Sequence, residues 1–342
     1  MKKNICDFNL EELIREIALL GQAPHRARQI FLWLNKKNAE TFDVMTDLSK
    51  SFKRELKEKF VINRPKCAEH LVSMDGTEKF LWQLEGPEYI ETVMIKEGAR
   101  YTLCLSTQIG CKFKCPFCAS GTKRFKRNLT VSEIVGQVIM AQNLCAIKAT
   151  NIVFMGMGEP LDNYDNVIRS IRIINHPEGI GIGARKITVS TCGIVPGIRK
   201  LQNEALQVEL SVSLHAPDDA TRNQLVPVNH KYPLGTLIPA CREYSEVTNR
   251  IITLEYTLIN SFNDSIRTAE KLAKLAKAIR AKVNLIDCSS FGDGEYLPAT
   301  IKKKKLFKQK LEACGVRTTI RKSKGADILA ACGQLSAKFN KA

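Results

Sequence analysis

No apolar run in this 342-residue chain is long enough to cross a bilayer. The longest uncharged apolar-rich stretch, Ile134–Ile147, has 14 residues and contains Gln137, Gln142 and Asn143. A spanning helix needs ~20. A secretory signal core is missing as well, because Asp7, Glu11, Glu12, Arg15 and Glu16 interrupt the residues after Met1-Lys2-Lys3. The expected location is therefore the cytoplasm, with no membrane partner. Acid is scarce: 35 Asp and Glu face 52 Lys and Arg, a formal net charge of +17. There is no internal repeat, and no low-complexity tract beyond Lys302–Lys305. With 44% hydrophobic and 25% charged residues, disorder and a collagen-like chain are excluded. The length accommodates one full core plus an appendage.

The positive charge is concentrated. Residues 301–342 hold twelve Lys and Arg against Glu312 and Asp327. Residues 101–132 hold Lys112, Lys114, Lys123, Arg124, Lys126 and Arg127 and no acid. Such patches on a folded basic chain are the electrostatic footprint of a nucleic-acid binder, with salt-dependent affinity. Cysteine, by contrast, is abundant, with 12 residues. In a reducing compartment these are not a disulfide framework. Most are expected to be small buried hydrophobes, and a cluster of them a metal or redox site.

Residues 1–65 read as a small helical module. Leu48, Phe52, Leu56 and Phe60 recur every four residues, and Pro24 suits the first turn of a helix. Residues 66–100 read as a short β meander linking this module to the rest. Its strand-like segments are 70–73, 79–84 and 89–95, with Asp75-Gly76 as a hairpin turn. From residue 101 the rhythm becomes strand, loop, helix. Strands are expected at 101–107, 151–156, 186–191, 207–214, 251–258, 282–287 and 316–321. Helices are expected at 131–145, 163–174, 194–203, 234–247, 265–280 and 301–314. Strands alternating with such helices imply parallel βαβ units. The fold class is α/β, a complete or partial β/α barrel whose active site lies at the C-terminal strand ends.

Cys111-Lys112-Phe113-Lys114-Cys115-Pro116-Phe117-Cys118 follows the first barrel strand. Pro116 opposes a helix here, and Gly110 and Gly121 bracket a loop. Three thiolates converging from a loop suit a metal or cluster. Zinc takes four ligands, so Cys104 is a candidate fourth in a zinc-bound, non-catalytic RNA-binding protein. An iron–sulfur cubane held by three cysteines keeps one iron open. Gly156-Met157-Gly158-Glu159-Pro160 follows a strand, where glycines allow close approach to a ligand and Glu159 offers a carboxylate to an ammonium.

This pattern resembles the radical S-adenosylmethionine (SAM) superfamily, and within it the RlmN/Cfr family of RNA adenine methyltransferases, closest to the RlmN branch. The resemblance covers nearly the whole chain. It is carried by Glu91-Thr92-Val93-Met94-Ile95, the stretch Thr102–Cys111 through Cys104, Phe154–Pro160, Ser211–Pro217, and Arg321–Leu335 with Asp327 and Cys332. Pro160 speaks for the RlmN branch, since Cfr-like sequences carry Ala there; a Cfr-type C8 methyltransferase is the nearest alternative.

The resemblance implies a partial (β/α)6 radical-SAM barrel over 101–325 and a C-terminal segment, 326–342, bearing a methyl-carrier cysteine. It implies a 4Fe-4S cluster on Cys111, Cys115 and Cys118, and two SAM molecules per turnover. SAM contacts would come from Gly158, Glu159, Ser190, Ser213, Leu214 and His215. Close relatives carry Pro-Trp-Asn-Pro after the strand ending near residue 287; here the stretch is Asp287-Cys288-Ser289-Ser290-Phe291, so Ser289 stands where their Asn contacts SAM. The first SAM would methylate Cys332, and the second would supply a radical that activates the S-methyl group for addition to adenosine C2. Cys104 would deprotonate C2 and then pair transiently with Cys332, with Glu91 as proton acceptor or orienting carboxylate. The implied substrates are 23S rRNA and/or tRNA. The implied electron donor is low-potential, such as flavodoxin or ferredoxin, and a monomer is expected.

Overall fold

The structure is a computed structural model that describes residues 2–289 and 296–336. Ten strands form one mixed sheet and lie side by side in chain order. They are β1 (Lys66–Val72), β2 (Glu78–Gln83), β3 (Tyr89–Glu97), β4 (Arg100–Cys104), β5 (Asn151–Phe154), β6 (Ile187–Thr191), β7 (Glu209–Ser213), β8 (Thr253–Leu258), β9 (Lys282–Asp287) and β10 (Thr318–Arg321). β1 to β4 run antiparallel to one another. β4 to β10 are all parallel.

Six helix-bearing connections join the parallel strands. Their principal helices are Val131–Cys145, Tyr164–Asn175, Val195–Leu201, Leu234–Thr248, Ile266–Ala278 and Ile301–Ala313. This is the expected α/β radical-SAM architecture, with six βα units. The short helix Asp219–Leu225 was not foreseen. Local chemistry sets the helix starts. Thr130 and Glu133 form a reciprocal capping box ahead of Val131, and Asn9 and Glu12 do the same ahead of Leu10–Ala18. β8 is buried at every residue, its apolar side chains alternating with the buried polar Thr253, Glu255 and Thr257.

The N-terminal module consists of the helices Leu10–Ala18, Pro24–Asn35 and Lys50–Lys59. Its apolar residues belong to the same continuous core as the barrel's. Arg169 of the barrel binds Glu12 and the Asp7 carbonyl. The meander, read as a linker, is hydrogen-bonded to the barrel: β3 pairs with β4 from Val93–Cys104 to Glu97–Arg100. It extends the sheet past the first barrel strand.

After β10 the chain crosses back to the meander. The Gly325 amide donates to Asp75 Oδ2 (3.0 Å), Ser73 Oγ to Asp327 Oδ1 (2.6 Å), and the Met74 amide to Asp327 Oδ2 (3.2 Å). Gly325 stands at φ +63°, and a Cβ there would meet Ala330 and Thr77 within 3 Å, so the turn needs glycine. Residues 337–342, with Lys338 and Lys341 of the basic arm, lie outside the described residues.

Asp75 gives this strap a pH dependence. Partial burial pushes its carboxyl up, but hydrogen bonds from Thr77, the Gly325 amide and Ser73 outweigh that and hold it at about 2, against an ordinary 3.8. A carboxyl lowered on folding stabilises the fold above its unfolded pKa, and the contribution is lost as pH falls through the folded value. Between pH 4 and pH 2 the wild-type melting temperature should therefore fall more steeply than that of Asp75→Asn. Parallel pH slopes for the two proteins would contradict this.

Candidate active site

At its C-terminal end β4 delivers Cys104, and the chain enters a loop closed by a short antiparallel pair, Gln108–Ile109 with Arg127–Asn128. Inside this loop lie Cys111, Cys115 and Cys118, each partly buried. The Cys118 amide donates to the Cys115 carbonyl (3.1 Å) and the Gly121 amide to the Cys118 carbonyl (2.8 Å). Gly110, at φ +73°, leaves only 2.3 Å between a hypothetical Cβ and the Arg124 carbonyl, so the loop can close only with glycine there.

The three thiols line one cavity together with Gly158, Glu159, Ser190, Ser213, His215 and Ser289. Burial pushes Cys111 up to about 12 and Cys115 well above the ordinary thiol range, and the neighbouring thiolates push them further; burial raises Cys118 too. Three thiolates cannot share a buried site without a compensating cation. A metal centre supplies it and deprotonates such thiols outright. The donor set therefore fits an iron–sulfur cluster.

The glycine loop fits close against the cluster loop. Gly158 has φ +95°, and a Cβ there would lie 2.5 Å from Gln108 Cβ. The Glu159 amide donates to Gln108 Oε1 (2.9 Å). The Glu159 side chain is buried and accepts from the Cys192 amide (2.7 Å) and the Leu161 amide (3.0 Å). Burial raises its pKa, so an ammonium entering the cavity would gain a desolvated carboxylate partner. This is the chemistry that the amino group of SAM requires.

His215, at φ +55°, is buried and accepts at Nδ1 from the Thr257 amide (3.0 Å). Burial, then the Arg222 charge, lowers its pKa to about 3, so the imidazole is neutral. Leu214 does not join the lining: it is fully buried, and its carbonyl accepts from Arg222 Nε (3.2 Å). Ser290 and Phe291 lie outside the described residues.

A second cavity opens on the other side of Cys332. Cys332, Met155, Glu255 and Ile286 line both. By surface area Cys332 is exposed, yet protein crowds it from several sides. This crowding pushes its thiol up to about 11, opposed by the Arg321 charge. Cys104 is pushed up to about 12, first by burial and then by the Cys332 charge, again opposed by Arg321. The two lone cysteines are thus neighbours beside one cation. Cys104 therefore neighbours Cys332, whose own thiol also feels the loop thiol Cys118.

Glu91 lies in the middle of β3 and is absent from both cavity linings. It pairs with buried Lys79 at 3.3 Å and accepts from the Ser336 amide at 2.7 Å. Lys79 in turn donates to the Leu329 carbonyl at 3.5 Å. Further along, the Ala119 amide donates to the Gly333 carbonyl (2.7 Å) and Ser120 Oγ to the Leu335 carbonyl (2.7 Å). The segment bearing Cys332 is thereby fastened to both the meander and the cluster loop.

Sequence reading missed Lys79, Glu255 and Arg222. Glu255 is buried and bonded to Ser211 and Asn284. Arg222 is fully buried and donates to Asn229 and to backbone carbonyls. Only Glu255 carried a signal, as the one charged residue in the run Ile251–Leu258.

Comparison with known proteins agrees with this geometry. The Radical SAM superfamily model matches residues 105–276, and a model described as the ribosomal RNA large subunit methyltransferase N-terminal domain matches residues 3–62. A protein of Clostridium novyi named "Probable dual-specificity RNA methyltransferase RlmN" is 44% identical over 98% of both chains. One of the same name from Thermotoga neapolitana is 46% identical over 98% of both. This chain belongs to the RlmN family of radical SAM RNA methyltransferases. The crystal structure of a radical SAM methyltransferase from Sphaerobacter thermophilus superposes with a TM-score of 0.93, at 42% identity, over 98% of this chain and all of that one. As a family member it uses a 4Fe-4S cluster and SAM.

Gly158→Ala tests the cradle. The strained backbone and the close Gln108 contact should retain iron yet weaken SAM binding at least about tenfold, the equivalent of about 1.4 kcal/mol. Equilibrium dialysis with labelled SAM measures this, and unchanged affinity would contradict the placement.

Proposed function

We propose that this RlmN-family enzyme methylates C2 of adenosine in 23S rRNA and/or tRNA, with Cys332 as methyl carrier and Cys104 as the residue that releases the product. The observation supporting this reading is the proximity of the two thiols, the Cys332 charge raising the Cys104 pKa while Arg321 opposes the rise at both, with Cys332 at the boundary between two cavities. One cavity holds the cluster cysteines and the SAM cradle. The other is rimmed by Arg100, Arg185, Arg317, Arg321, Lys322 and Lys324, a mouth suited to a phosphodiester chain.

When bound, the cluster and SAM supply the methyl group and, after reduction, a 5′-deoxyadenosyl radical. An sp2 adenine carbon is a poor nucleophile, so direct methyl transfer is closed to it. Cys332 takes the methyl by displacement at sulfur and presents it to the base. The S-methyl carbon of Cys332, after giving one hydrogen atom to that radical, bonds to C2; the C2 proton then passes to the Cys104 thiolate and the odd electron would return to the cluster. The Cys104 sulfur next bonds to the Cys332 sulfur, the Cys332 sulfur–carbon bond breaks, and the Cys104 proton goes to the released carbon to complete the methyl group. That leaves a disulfide, which two electrons from a low-potential donor such as flavodoxin or ferredoxin reduce. Gly158, Glu159, Ser190, Ser213, His215 and Ser289 hold SAM. Glu91 acts as the orienting carboxylate for the carrier segment. The enzyme works in the cytoplasm as a monomer.

The product identifies the reaction. RNA incubated anaerobically with reconstituted enzyme, SAM and reductant should yield 2-methyladenosine by nucleoside mass spectrometry. 8-Methyladenosine would place the enzyme with Cfr instead. Cys332→Ala should cleave SAM to 5′-deoxyadenosine and yield no methylated RNA; methylation surviving in that variant would end the carrier assignment.

A further inference from the structure

The outer face of the meander carries a second group of metal-type donors, none of which lines either cavity. His70 Nε2 of β1 lies 2.7 Å from Glu78 Oε2 of β2. Cys145 Sγ, the last residue of the helix Val131–Cys145, lies 3.1 Å from the same oxygen. All three donor atoms fall within 4.8 Å of one another. They come from three separate elements, and only folding brings them together.

A second thiol, Cys67, shares their face of the sheet. β1 and β2 pair with a bulge between Cys67 and Glu69. Cys67 stands opposite Trp82 and His70 opposite Phe80. Directly opposed residues share a face, as do residues two apart in a strand. The extra residue of the bulge therefore puts Cys67 and His70, three positions apart, on the face that also carries Glu78. Bulges commonly re-aim a side chain in this way. Cys67 is close enough to Cys145 for their charges to interact.

We propose that His70, Glu78 and Cys145, with Cys67 as the fourth donor, bind a zinc-class divalent cation that ties the meander to the helix Val131–Cys145. One imidazole, one carboxylate and two thiolates form a borderline donor set suited to zinc. Zinc places such donors ~2.0–2.3 Å from itself, hence ~3.3–3.8 Å apart in a tetrahedron; the spacings among His70, Glu78 and Cys145 approach this with shifts of about an ångström or less, and Cys67 closes on the ion from the same face. The ion would neutralise charges that the helix end and the hairpin otherwise crowd together. It would also act on the active site from behind. Glu78 and Lys79 are consecutive, so their side chains face opposite sides of the sheet. Fixing Glu78 on the outer face fixes the register that presents Lys79 to Glu91 and to the carrier segment.

Full-length enzyme with its cluster assembled is dialysed against zinc, desalted, and assayed for zinc and iron by plasma mass spectrometry. The wild type should retain a single equivalent of zinc. His70→Ala and Cys145→Ser should bind it at least about tenfold more weakly, with iron content unchanged. Glu78→Gln, which preserves size and hydrogen bonding, should lose zinc while keeping the wild-type circular dichroism spectrum. Cobalt in place of zinc should give a thiolate charge-transfer band that Cys145→Ser abolishes. A wild type without zinc, or variants that retain it with full cluster iron, would overturn the proposal.

Discussion

The buried Lys79–Glu91 ion pair holds the segment bearing Cys332 in place. Lys79 grips the Leu329 carbonyl and Glu91 the Ser336 amide, so the two members of one pair bracket Cys332 from either side. Both side chains are almost wholly removed from water. Breaking such a pair by removing one partner typically costs ~3–5 kcal/mol, because the other charge is left buried and unpaired. The pair is therefore a poor stabiliser compared with apolar packing but a strong selector of geometry. It commits the chain after β10 to one path across the sheet, and that path brings Cys332 beside Cys104.

Charge organises the rest of the site by the same logic. The cluster loop crowds three thiols, the glycine loop buries Glu159, and Glu255 is buried between the two cavities. Each of these anionic groups is raised in pKa by desolvation. Buried anionic sites of this kind are incomplete without cations, and the iron centre and the SAM sulfonium and ammonium supply them. Among the described residues Arg321 is the cation whose charge acts on both lone thiols. Neutral His215 adds a donor without adding charge.

Much of the barrel was legible because its signals are local. The strand–loop–helix rhythm places six helices between 131 and 313 to within about three residues at every end, missing only the short Asp219–Leu225. The first strand ends three residues early because past Leu105 the Ser106 amide bonds Gln137 Oε1 and the Thr107 amide bonds the Met157 carbonyl, beyond the end of β5. The meander's three strands were legible as strands. Their partner was not, since alternation says which face is buried and not what lies alongside. The same gap explains Glu91: nothing near it in sequence shows that Lys79, two strand positions away across a register, faces it. Leu214 was carried by its motif, but the β7 geometry turns it into the core. The cluster cysteines, Glu159 and Cys332 were legible through spacing and resemblance, because their chemistry demands those residue types.

The central claim is that the methyl group passes through Cys332. Its most direct test is peptide mass spectrometry of the enzyme after anaerobic incubation with SAM labelled in the methyl group. The account predicts the label on the tryptic peptide spanning residues 325–338, at Cys332. Label on another cysteine, or RNA methylated in full yield by enzyme whose Cys332 never acquires label, would contradict it.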